Sequence, residues 1–385
     1  MAGKHNSASK KNTVFATIVR IFAIITFLVM VAGTVYISST RLFPTNYILI
    51  IFAAVCVISA LLLWLVLSRK RVLARQIISL ILCIVVLAVS GYSTSLLGAV
   101  HGSLSNMPSD ENGVSAEAVN VSAEPFLVYL SGLDTKNSDE IKDKGLSDVN
   151  MIVAVNPETH KILMVSVPRD YYVPLWGDEN KMDKLTHAGN YGVECSMDTL
   201  ESLFDVEFNY YVKVNFKSVV DIVDAVGGVT VNSEFDFSSY HSLSGKTYYF
   251  KKGENTLTGD AALAFARERY SFSNGDRQRG IHQQMVISAI FDKAISPSIL
   301  NPSHVNELLD AVIQNMKSNI TYDEITELVQ LQLAKMPSWD IDTMSVDGTG
   351  ATLSTYSTGG QALSVMKPNQ ETIDAAKAAI EEVMK

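Results

Sequence analysis

The chain has 385 residues, 48% of them hydrophobic, and a formal net charge of −9. All 40 acidic residues lie after residue 100, where 22 lysines and arginines leave a net charge of −18. That segment contains one cysteine, Cys195, which excludes a disulfide within it, and no cysteines or histidines of the chain have the spacing of zinc ligands.

Three apolar runs fill the first hundred residues, which contain no Asp or Glu. They cover about residues 15–38, 47–67 and 76–100. Each is long enough to cross a bilayer core of about 30 Å. A cleaved signal peptide would give a single, shorter run. The sequence therefore predicts three permanent membrane spans, with a buried three-helix core as the alternative.

Positive charges predict the orientation of these spans. Lys4, Lys10 and Lys11 precede the first run and four basic residues lie in 69–75, whereas the loop between the first two runs has only Arg41. Basic segments stay in the cytoplasm, so an odd number of spans places the rest of the chain outside. The predicted parts are a cytoplasmic tail (1–13), three transmembrane helices (14–100), a linker (101–124) and an extracytoplasmic domain (125–385).

The extracytoplasmic segment alternates strand-like and helix-like runs. The strand-like runs are 126–130, 149–155, 161–167, 209–214, 228–231 and 341–346. The helix-like runs are 197–204, 216–225, 259–269, 277–294, 304–316, 322–335 and 370–383. This alternation predicts an α/β fold with a central sheet and helices on both faces, and functional sites at the carboxyl ends of strands.

Only five arginines occur after residue 100, and they fall in two short stretches. One follows a predicted strand and the others flank a predicted helix boundary: Arg169, Arg267, Arg269, Arg277 and Arg279. Arginines on an ordinary solvated surface would be distributed along the sequence. A guanidinium binds phosphate through two parallel hydrogen bonds. The clustering predicts an anion site. The alternative is that pairs such as Arg169–Asp170 and Arg279–Asp276 are buried salt bridges that hold the sheet edge.

Two aspartates bracket the loop after the first predicted strand, Asp134 and Asp148. Carboxylates beside a bound phosphate are how proteins hold Mg²⁺, with the substrate completing the coordination shell. An isolated aspartate after a strand is more often a cap or turn residue. The residue types alone leave both roles open.

Six segments, in this order, resemble the LytR-CpsA-Psr family. They are SGLDT (131–135), SDVNMIVAVNPETHKILMVSVPRDYYV (147–173), KLTHA (184–188), VDAVGGVTV (223–231), LTGDAALAFARERY (257–270) and GDRQRGIHQQ (275–284). The resemblance covers about residues 125–300, and the three spans before it are similar to those of the capsule-type members.

The resemblance implies a fold and an activity. The fold is an α/β/α sandwich with a central, mostly mixed sheet and a long apolar pocket for a polyprenyl chain. The activity is an extracytoplasmic phosphotransfer with Mg²⁺ as cofactor. It moves a glycopolymer, either teichoic acid or capsular polysaccharide, from an undecaprenyl-pyrophosphate carrier to a peptidoglycan hydroxyl through a phosphodiester. The implied partners are the lipid-linked glycan, peptidoglycan and the bilayer.

The family's site residues correspond to positions of this sequence. Its Mg²⁺-associated aspartates fall on Asp134 and Asp148. Its other site residues fall on Arg169, Asp170, Lys184, Arg267, Arg269, Asp276, Arg279, His282, Gln283 and Gln284. Two features depart from the family pattern: His282 stands where many members have arginine, and the loop between the two aspartates is longer. Arg277 lies outside the shared pattern.

Together, the residue chemistry and the resemblance predict a role for each position. Catalysis is assigned to Arg169, Asp170, Arg267, Arg269, Asp276 and Arg279. Substrate binding is assigned to Lys184, Arg277, His282 and Gln283. The arginines hold the pyrophosphate, Mg²⁺ on Asp134 and Asp148 neutralises developing charge, and either Asp170 or Asp276 deprotonates the acceptor hydroxyl.

Two other functions remain open at this point. A pyrophosphate-cleaving hydrolase would use the same arginines and Mg²⁺ with water as the acceptor. A membrane sensor or regulator of envelope synthesis would bind without turnover. Nucleic acid is not an expected partner, because the cytoplasmic part is a short tail and one basic loop, too small for a DNA-reading domain.

Overall fold

The computed structural model describes residues 2–41, 43–67, 73–105, 119–133, 141–273, 275–296 and 311–385. The chain forms two compact units. One consists of Met1–Gly102 and Val329–Lys335, and the other of Ser103–Leu328 and Met336–Lys385.

The first unit contains three long helices, α1 (Ala2–Ser39), α2 (Thr45–Leu67) and α3 (Leu73–Ser105). Their stretches Val14–Ser39, Thr45–Val66 and Leu73–Ser95 are long and apolar enough to cross a membrane. Only 22%, 11% and 11% of the most apolar window of each helix is buried within the protein, so most of their apolar side chains face outward. This argues against the buried three-helix core and fits the predicted spans.

The ends of these helices differ from the predicted divisions. Residues 2–13 of the predicted tail belong to the same helix as the first span, and the start of the predicted linker, up to Ser105, is the end of α3. Residues 106–118 of that linker lie outside the described residues.

The second unit is an α/β domain. Its strands are β1 (Phe126–Leu133), β2 (Ser147–Asn156), β3 (Lys161–Val167), β4 (Tyr172–Pro174), β5 (Met182–Lys184), β6 (Tyr210–Asn215), β7 (Val229–Ser233), β8 (Phe237–Ser239), β9 (Tyr248–Phe250), β10 (Gly253–Leu257), β11 (Lys317–Ser318), β12 (Asp340–Ser345), β13 (Gly348–Ser354) and β14 (Ala362–Pro368). Its helices are α4 (Leu185–Ala188), α5 (Val193–Phe204), α6 (Phe216–Ala225), α7 (Gly259–Arg267), α8 (Gly275–Ile295), α9 (Tyr322–Lys335, which ends in the first unit) and α10 (Gln370–Val383).

The central sheet has six strands in the order β11-β6-β1-β2-β3-β12. It is mixed, because β6 is parallel to β1 and β12 is parallel to β3, whereas β2 runs antiparallel to both of its neighbours. One edge of the sheet therefore collects the carboxyl ends of β1, β3, β6 and β12 together with the amino end of β2. The residues that follow or begin these strands meet there.

Side-chain alternation along β1 covers both faces of the sheet, as the period of two in a strand requires. Leu127 and Tyr129 pack into the core that contains residues of α5 and α10. Phe126 and Val128 point to the opposite face, where they pack against Tyr210. On that face, other strand residues of the sheet pack against Ile287 and Phe291 of α8. Helices on both faces give the predicted α/β/α arrangement.

Most predicted elements have the predicted type, and β3, α6, α9 and α10 have the predicted bounds. The predicted helix 259–269 ends two residues early, because Glu268 has an extended backbone with φ −68° and ψ 131°. The predicted helix 304–316 lies mostly outside the described residues. The short hairpins β4–β5 and β13–β14 were not predicted.

Candidate functional site

An ion pair forms the centre of the candidate site at this sheet edge. Arg169 follows β3, and Asp148 is the second residue of the antiparallel neighbour β2. The Nη1 atom of Arg169 donates a hydrogen bond to Oδ1 of Asp148 over 2.7 Å. Its Nε atom lies 3.9 Å from Oδ2 of Asp170, beyond hydrogen-bond distance.

The Nε atom of Arg169 is buried, and no hydrogen-bond partner for it occurs among the described residues. A buried donor without an acceptor costs about 1–3 kcal/mol. Burial alone would lower the pKa of Arg169, but the nearby Asp148, Asp170 and Asp276 raise it above its ordinary value. The guanidinium therefore remains charged, and its Nε donor is unpaired among the described residues.

Lys184 approaches the same place along the β4–β5 hairpin, in which it pairs with Tyr172. Its Nζ atom donates to Oδ1 of Asp170 over 2.9 Å. The hairpin is tied to the loop after β3 because the backbone N–H of Thr186 donates to the carbonyl of Arg169 over 2.8 Å. Asp170 thus lies between two cations.

Arg279 lies in the first turns of α8 and is buried. Its Nη2 atom is 2.7 Å from Oδ1 of Asp276, one turn earlier. Burial lowers the pKa of Arg279, Asp276 opposes this effect, and the positive charges of Arg169 and Arg269 lower the pKa further. Arg169, Arg269 and Arg279 therefore share one electrostatic neighbourhood, in which a bound anion would relieve their mutual repulsion.

Arg269 follows the end of α7 and contacts the exposed Tyr270. Its Nη2 atom donates to the phenolic oxygen over 2.7 Å, and its Cζ atom lies 4.7 Å from the ring centroid. The hydrogen bond from Arg269 is the largest cause of the lowered pKa of Tyr270, and the charge of Arg169 adds to it. Tyr270 was not predicted as a site residue, although its position directly after the Arg267-Glu-Arg269 segment was a signal.

Other predicted site residues have different surroundings. The Nη1 atom of Arg267 donates to the carbonyl of His241 over 3.0 Å, and its Cζ atom lies 3.9 Å from the ring centroid of Phe216. Arg277 is 57% exposed in its side chain and lies 3.6 Å from Asp347, a residue that follows β12 and was not predicted. Arg277 is therefore largely exposed, whereas Arg267 is held by Phe216 and the carbonyl of His241.

His282 is fully buried beneath the site. Its ring stacks on Phe237 at 5.1 Å and 13°, and its nitrogens contact Gln278 and the carbonyl of Phe265 at 3.1 and 3.2 Å. Burial lowers its pKa to about 4, so the ring is neutral at pH 7. Because the side chain is fully buried and both ring nitrogens have partners within the protein, His282 packs in the core in place of the predicted substrate contact.

The next two residues of α8 have different environments. Gln283 is half-buried, whereas Gln284 is buried and donates to the carbonyls of Met164 and Met344 over 3.0 and 2.6 Å. Gln284 thus fastens α8 to the central sheet, which keeps Asp276 and Arg279 at the sheet edge.

The carboxylates allow a partial test of the predicted Mg²⁺ site. Asp134 lies outside the described residues. Oδ1 of Asp148 accepts from Arg169, and no described residue donates to its Oδ2. Within the described ranges no group of three or more His, Cys, Asp or Glu side chains is arranged to hold a metal. Because Mg²⁺ needs only one or two carboxylates beside substrate phosphates and water, the donors present fit it.

The sequence profile of the LytR_cpsA_psr family matches residues 95–379. The chain belongs to the LytR-CpsA-Psr family. TagU of Bacillus mycoides (strain KBAB4), named polyisoprenyl-teichoic acid–peptidoglycan teichoic acid transferase, is 38% identical over 220 residues, 57% of this chain and 68% of that protein.

Solved structures of LytR-CpsA-Psr relatives have the same fold. The crystal structure of B. subtilis TagV matches with a TM-score of 0.56 and 28% identity, over 68% of this chain and 97% of that chain. The structure of TagT bound to LI-WTA matches with a TM-score of 0.55 and 26% identity, over 72% of this chain and 99% of that chain. These matches confirm the predicted α/β domain with a central mixed sheet.

Proposed function

We propose that this LytR-CpsA-Psr protein transfers a glycopolymer from a polyprenyl-pyrophosphate carrier to a hydroxyl of peptidoglycan, through a phosphodiester. The observation that carries this proposal is the shared electrostatic neighbourhood of Arg169, Arg269 and Arg279, in which Arg169 follows β3 at the sheet edge. The name of the TagU relative supports teichoic acid as the glycopolymer, with capsular polysaccharide as the other cargo that the sequence predicts.

The charge balance supports a pyrophosphate ligand. The segment after residue 100 has a net charge of −18, so it would repel a substrate with two or three negative charges unless cations were gathered locally. Three guanidiniums and Lys184 outnumber by one the three carboxylates beside them, Asp148, Asp170 and Asp276, so the site is locally positive. Fixed guanidiniums also stabilise the charge that develops on the phosphate oxygens during transfer.

The proposed reaction is a displacement at phosphorus. The acceptor hydroxyl oxygen forms a bond to the phosphorus that bears the glycan, and the bond from this phosphorus to the bridging oxygen breaks. The bridging oxygen leaves with the polyprenyl phosphate and its electron pair. The hydroxyl proton passes to a carboxylate, for which Asp170 and Asp276 are the candidates. Both are partly exposed and each pairs with a cation of the site.

Asp148, together with Asp134, would hold Mg²⁺ beside the pyrophosphate. When bound, Mg²⁺ supplies charge neutralisation at the phosphate oxygens. Arg169 positions Asp148 through its hydrogen bond to Oδ1, which leaves Oδ2 for the ion. The family's apolar pocket for the polyprenyl chain stays a prediction.

The membrane orientation belongs to the same proposal. The basic tail and the basic loop 69–75 lie in the cytoplasm, and the α/β domain lies on the opposite side, where peptidoglycan is assembled. Protease added to cells stripped of wall should cleave the domain while the membrane is intact. Resistance until the membrane is opened would place the domain inside.

The decisive experiment uses the full chain in lipid nanodiscs with a polyprenyl-pyrophosphate-linked saccharide, Mg²⁺ and soluble uncross-linked peptidoglycan strands. Mass spectrometry should detect a phosphodiester-linked glycan on the strands, and the initial rate of its formation should fall about a hundred-fold or more in Arg169→Ala and Arg279→Ala. Release of free phosphorylated saccharide would instead indicate a hydrolase, and binding without turnover would indicate a sensor.

A further inference from the structure

Three aromatic rings lie side by side on the surface of the α/β domain. Trp176 and Tyr191 have ring centroids 4.8 Å apart, and Tyr191 and Tyr356 have centroids 6.5 Å apart. The three residues are 37%, 36% and 46% exposed. They come from three different turns of the chain, after β4, after α4 and after β13, so the row arises from the tertiary fold.

The backbone at Trp176 is held in a conformation that bulky residues rarely adopt. Its φ is 53°, in the left-handed region, and the following Gly177 has φ 71°. The backbone N–H of Trp176 donates to Oγ1 of Thr199 over 3.0 Å, and the preceding Leu175 is fully buried. This turn buries a leucine and exposes the adjacent indole. Such conformations persist where the surrounding structure imposes them, and they cluster at functional sites.

Polar groups surround the rings without giving the surface a strong charge. The Nζ atom of Lys181 lies 4.9 Å from the centroid of Trp176 and 3.2 Å from Oδ2 of Asp178. The hydroxyl of Tyr191 lies 3.1 Å from Oγ of Ser357. Aromatic faces with hydrogen-bonding groups at their rim match a sugar ring, which has apolar C–H faces and polar edges. The balanced charge favours a neutral sugar over a phosphate-rich polymer.

The β4–β5 hairpin connects this surface to the arginine site. At one end of the hairpin Tyr172 pairs with Lys184, the partner of Asp170, and at the other end Pro174 pairs with Met182. Trp176 lies two residues beyond that end, in the turn that follows β4. The hairpin therefore joins the turn that carries Trp176 to Lys184, the partner of Asp170.

The aromatic row is also fixed to the hairpin. Oδ2 of the buried Asp183, which precedes Lys184 in β5, accepts from the backbone N–H of Ser357 over 2.6 Å. Its Oδ1 atom lies 2.6 Å from Nδ1 of His187. The turn that carries Tyr356 is thereby held at a defined position relative to Lys184.

We infer that Trp176, Tyr191 and Tyr356 form a binding surface for the glycan strand of peptidoglycan, which holds the acceptor while its hydroxyl reaches the arginine site. The inference rests on the proposed function and names the surface that positions the acceptor in it. The polyanionic cargo of the donor does not suit this surface, because Asp178 and Glu179 lie beside Trp176 and no excess of positive charge offsets them.

The first test is binding without the donor. The chain has three tryptophans, so the Trp64→Phe, Trp339→Phe background leaves Trp176 as the only indole. The full chain in nanodiscs is titrated with a tetrasaccharide of alternating N-acetylglucosamine and N-acetylmuramic acid whose lactyl carboxyls are amidated, so that the probe is neutral. We expect a saturable blue shift of the Trp176 fluorescence, because a stacked sugar removes water from the ring. An unchanged spectrum across the titration would overturn the inference.

Single variants then test whether the tetrasaccharide binds to the aromatic row. Their affinities are measured by calorimetry in the chain that keeps Trp64 and Trp339. Trp176→Ala should weaken tetrasaccharide binding about ten-fold, the effect of losing one well-packed aromatic contact, and Trp176→Phe should restore most of the affinity. Tyr356→Ala, at the other end of the row, should weaken binding independently. The matched control is Tyr249→Ala, which removes an 81% exposed ring from β9 and should leave affinity unchanged.

The second test separates this inference from the proposed transfer. In the transfer assay, Trp176→Ala should raise KM for the peptidoglycan strand about ten-fold and leave kcat and KM for the lipid-linked donor unchanged. A raised KM for the donor alone would assign the row to the carrier glycan and overturn the inference. The inference would also be overturned if transfer product forms and Trp176→Ala binds the tetrasaccharide with the same affinity as the wild type. Trp176-dependent binding with no transfer product would instead refute the transferase and leave the glycan surface in place.

Discussion

The guanidinium of Arg169 and the carboxylate of Asp148 meet over 2.7 Å, although the two residues are 21 positions apart in the chain. They meet because β2 and β3 are antiparallel, so the residue after β3 lies beside the start of β2. The pair links the predicted phosphate ligand directly to the predicted metal ligand. Substitution of either residue should therefore weaken both the binding of the substrate phosphate and the binding of Mg²⁺.

Removal of the Arg169 guanidinium should be the most damaging single change at the site. We expect Arg169→Ala to lower kcat/KM for transfer by about 10²–10³, the usual loss when one oriented donor to a developing negative charge is removed. Arg169→Lys should restore little of the transfer activity. A lysine ammonium lacks the planar pair of donors that lets a guanidinium bind Asp148 and a phosphate at the same time. Steady-state assays of the full chain measure this. Transfer by Arg169→Ala within a factor of ten of wild type would contradict the assignment.

Arg277 offers a contrasting arginine on the same helix as Arg279. Its side chain is 57% exposed and its nearest carboxylate, Asp347, is 3.6 Å away, so solvent screens its charge. Arg277→Ala should lower kcat/KM less than ten-fold, whereas Arg279→Ala should resemble Arg169→Ala. Equal losses in the two variants would mean that Arg277 also reaches the pyrophosphate.

Metal removal tests the role of Asp148. We expect EDTA to abolish transfer and excess Mg²⁺ to restore it, because the guanidiniums alone leave part of the pyrophosphate charge without a counter-ion. Asp148→Asn should raise the Mg²⁺ concentration for half-maximal activity about ten-fold or more, since it removes a charged oxygen ligand. Magnesium titrations of both proteins give this number. Full activity in EDTA would remove Mg²⁺ from the mechanism.

The sequence predicted the elements that depend on local pattern. The apolar periodicity of α6 and α10 and the apolar run of β3 predicted bounds that the structure confirms. The clustering of arginines in an acidic segment predicted an anion site, with buried salt bridges as the alternative, and the structure contains one of these pairs, Arg279–Asp276. These features need no knowledge of how distant segments pack.

The features that the sequence did not predict depend on tertiary contacts. His282 follows the arginine-rich start of α8, but the phase of the helix turns it into a cluster of phenylalanines. The row formed by Trp176, Tyr191 and Tyr356 requires a left-handed turn and two loops that are distant in sequence. The contact between Arg277 and Asp347 requires that β12 end beside α8. Sequence spacing contains none of this information.

Arg267 should contribute to stability as well as to transfer, unlike Arg269. Its guanidinium packs on Phe216 and donates to the carbonyl of His241, so Arg267→Ala removes packing and leaves a carbonyl without that donor. We expect a loss of about 1–2 kcal/mol in the free energy of unfolding. Arg269→Ala removes a contact with the exposed Tyr270 and should leave the melting temperature almost unchanged. Thermal unfolding of the two variants compares them, and equal melting temperatures would contradict the distinction.

The buried His282 should make the domain less stable in acid. Its pKa falls from 6.5 to about 4 on folding, because burial disfavours the charged ring. Between these values the unfolded chain binds a proton that the folded chain does not, so the free energy of unfolding decreases as the pH falls from 6.5 toward 4. The full shift corresponds to about 3 kcal/mol. Above pH 6.5 both states are neutral at this position and the effect vanishes.

Removal of the titrating ring tests that explanation. His282→Gln keeps a polar side chain near Gln278 and the carbonyl of Phe265 but cannot be protonated in this range. The variant should be less stable at pH 7, because it loses the aromatic stacking on Phe237. Its melting temperature should nevertheless fall less steeply than that of the wild type between pH 6.5 and 4. Parallel curves for the two proteins would show that the acid sensitivity arises from other groups.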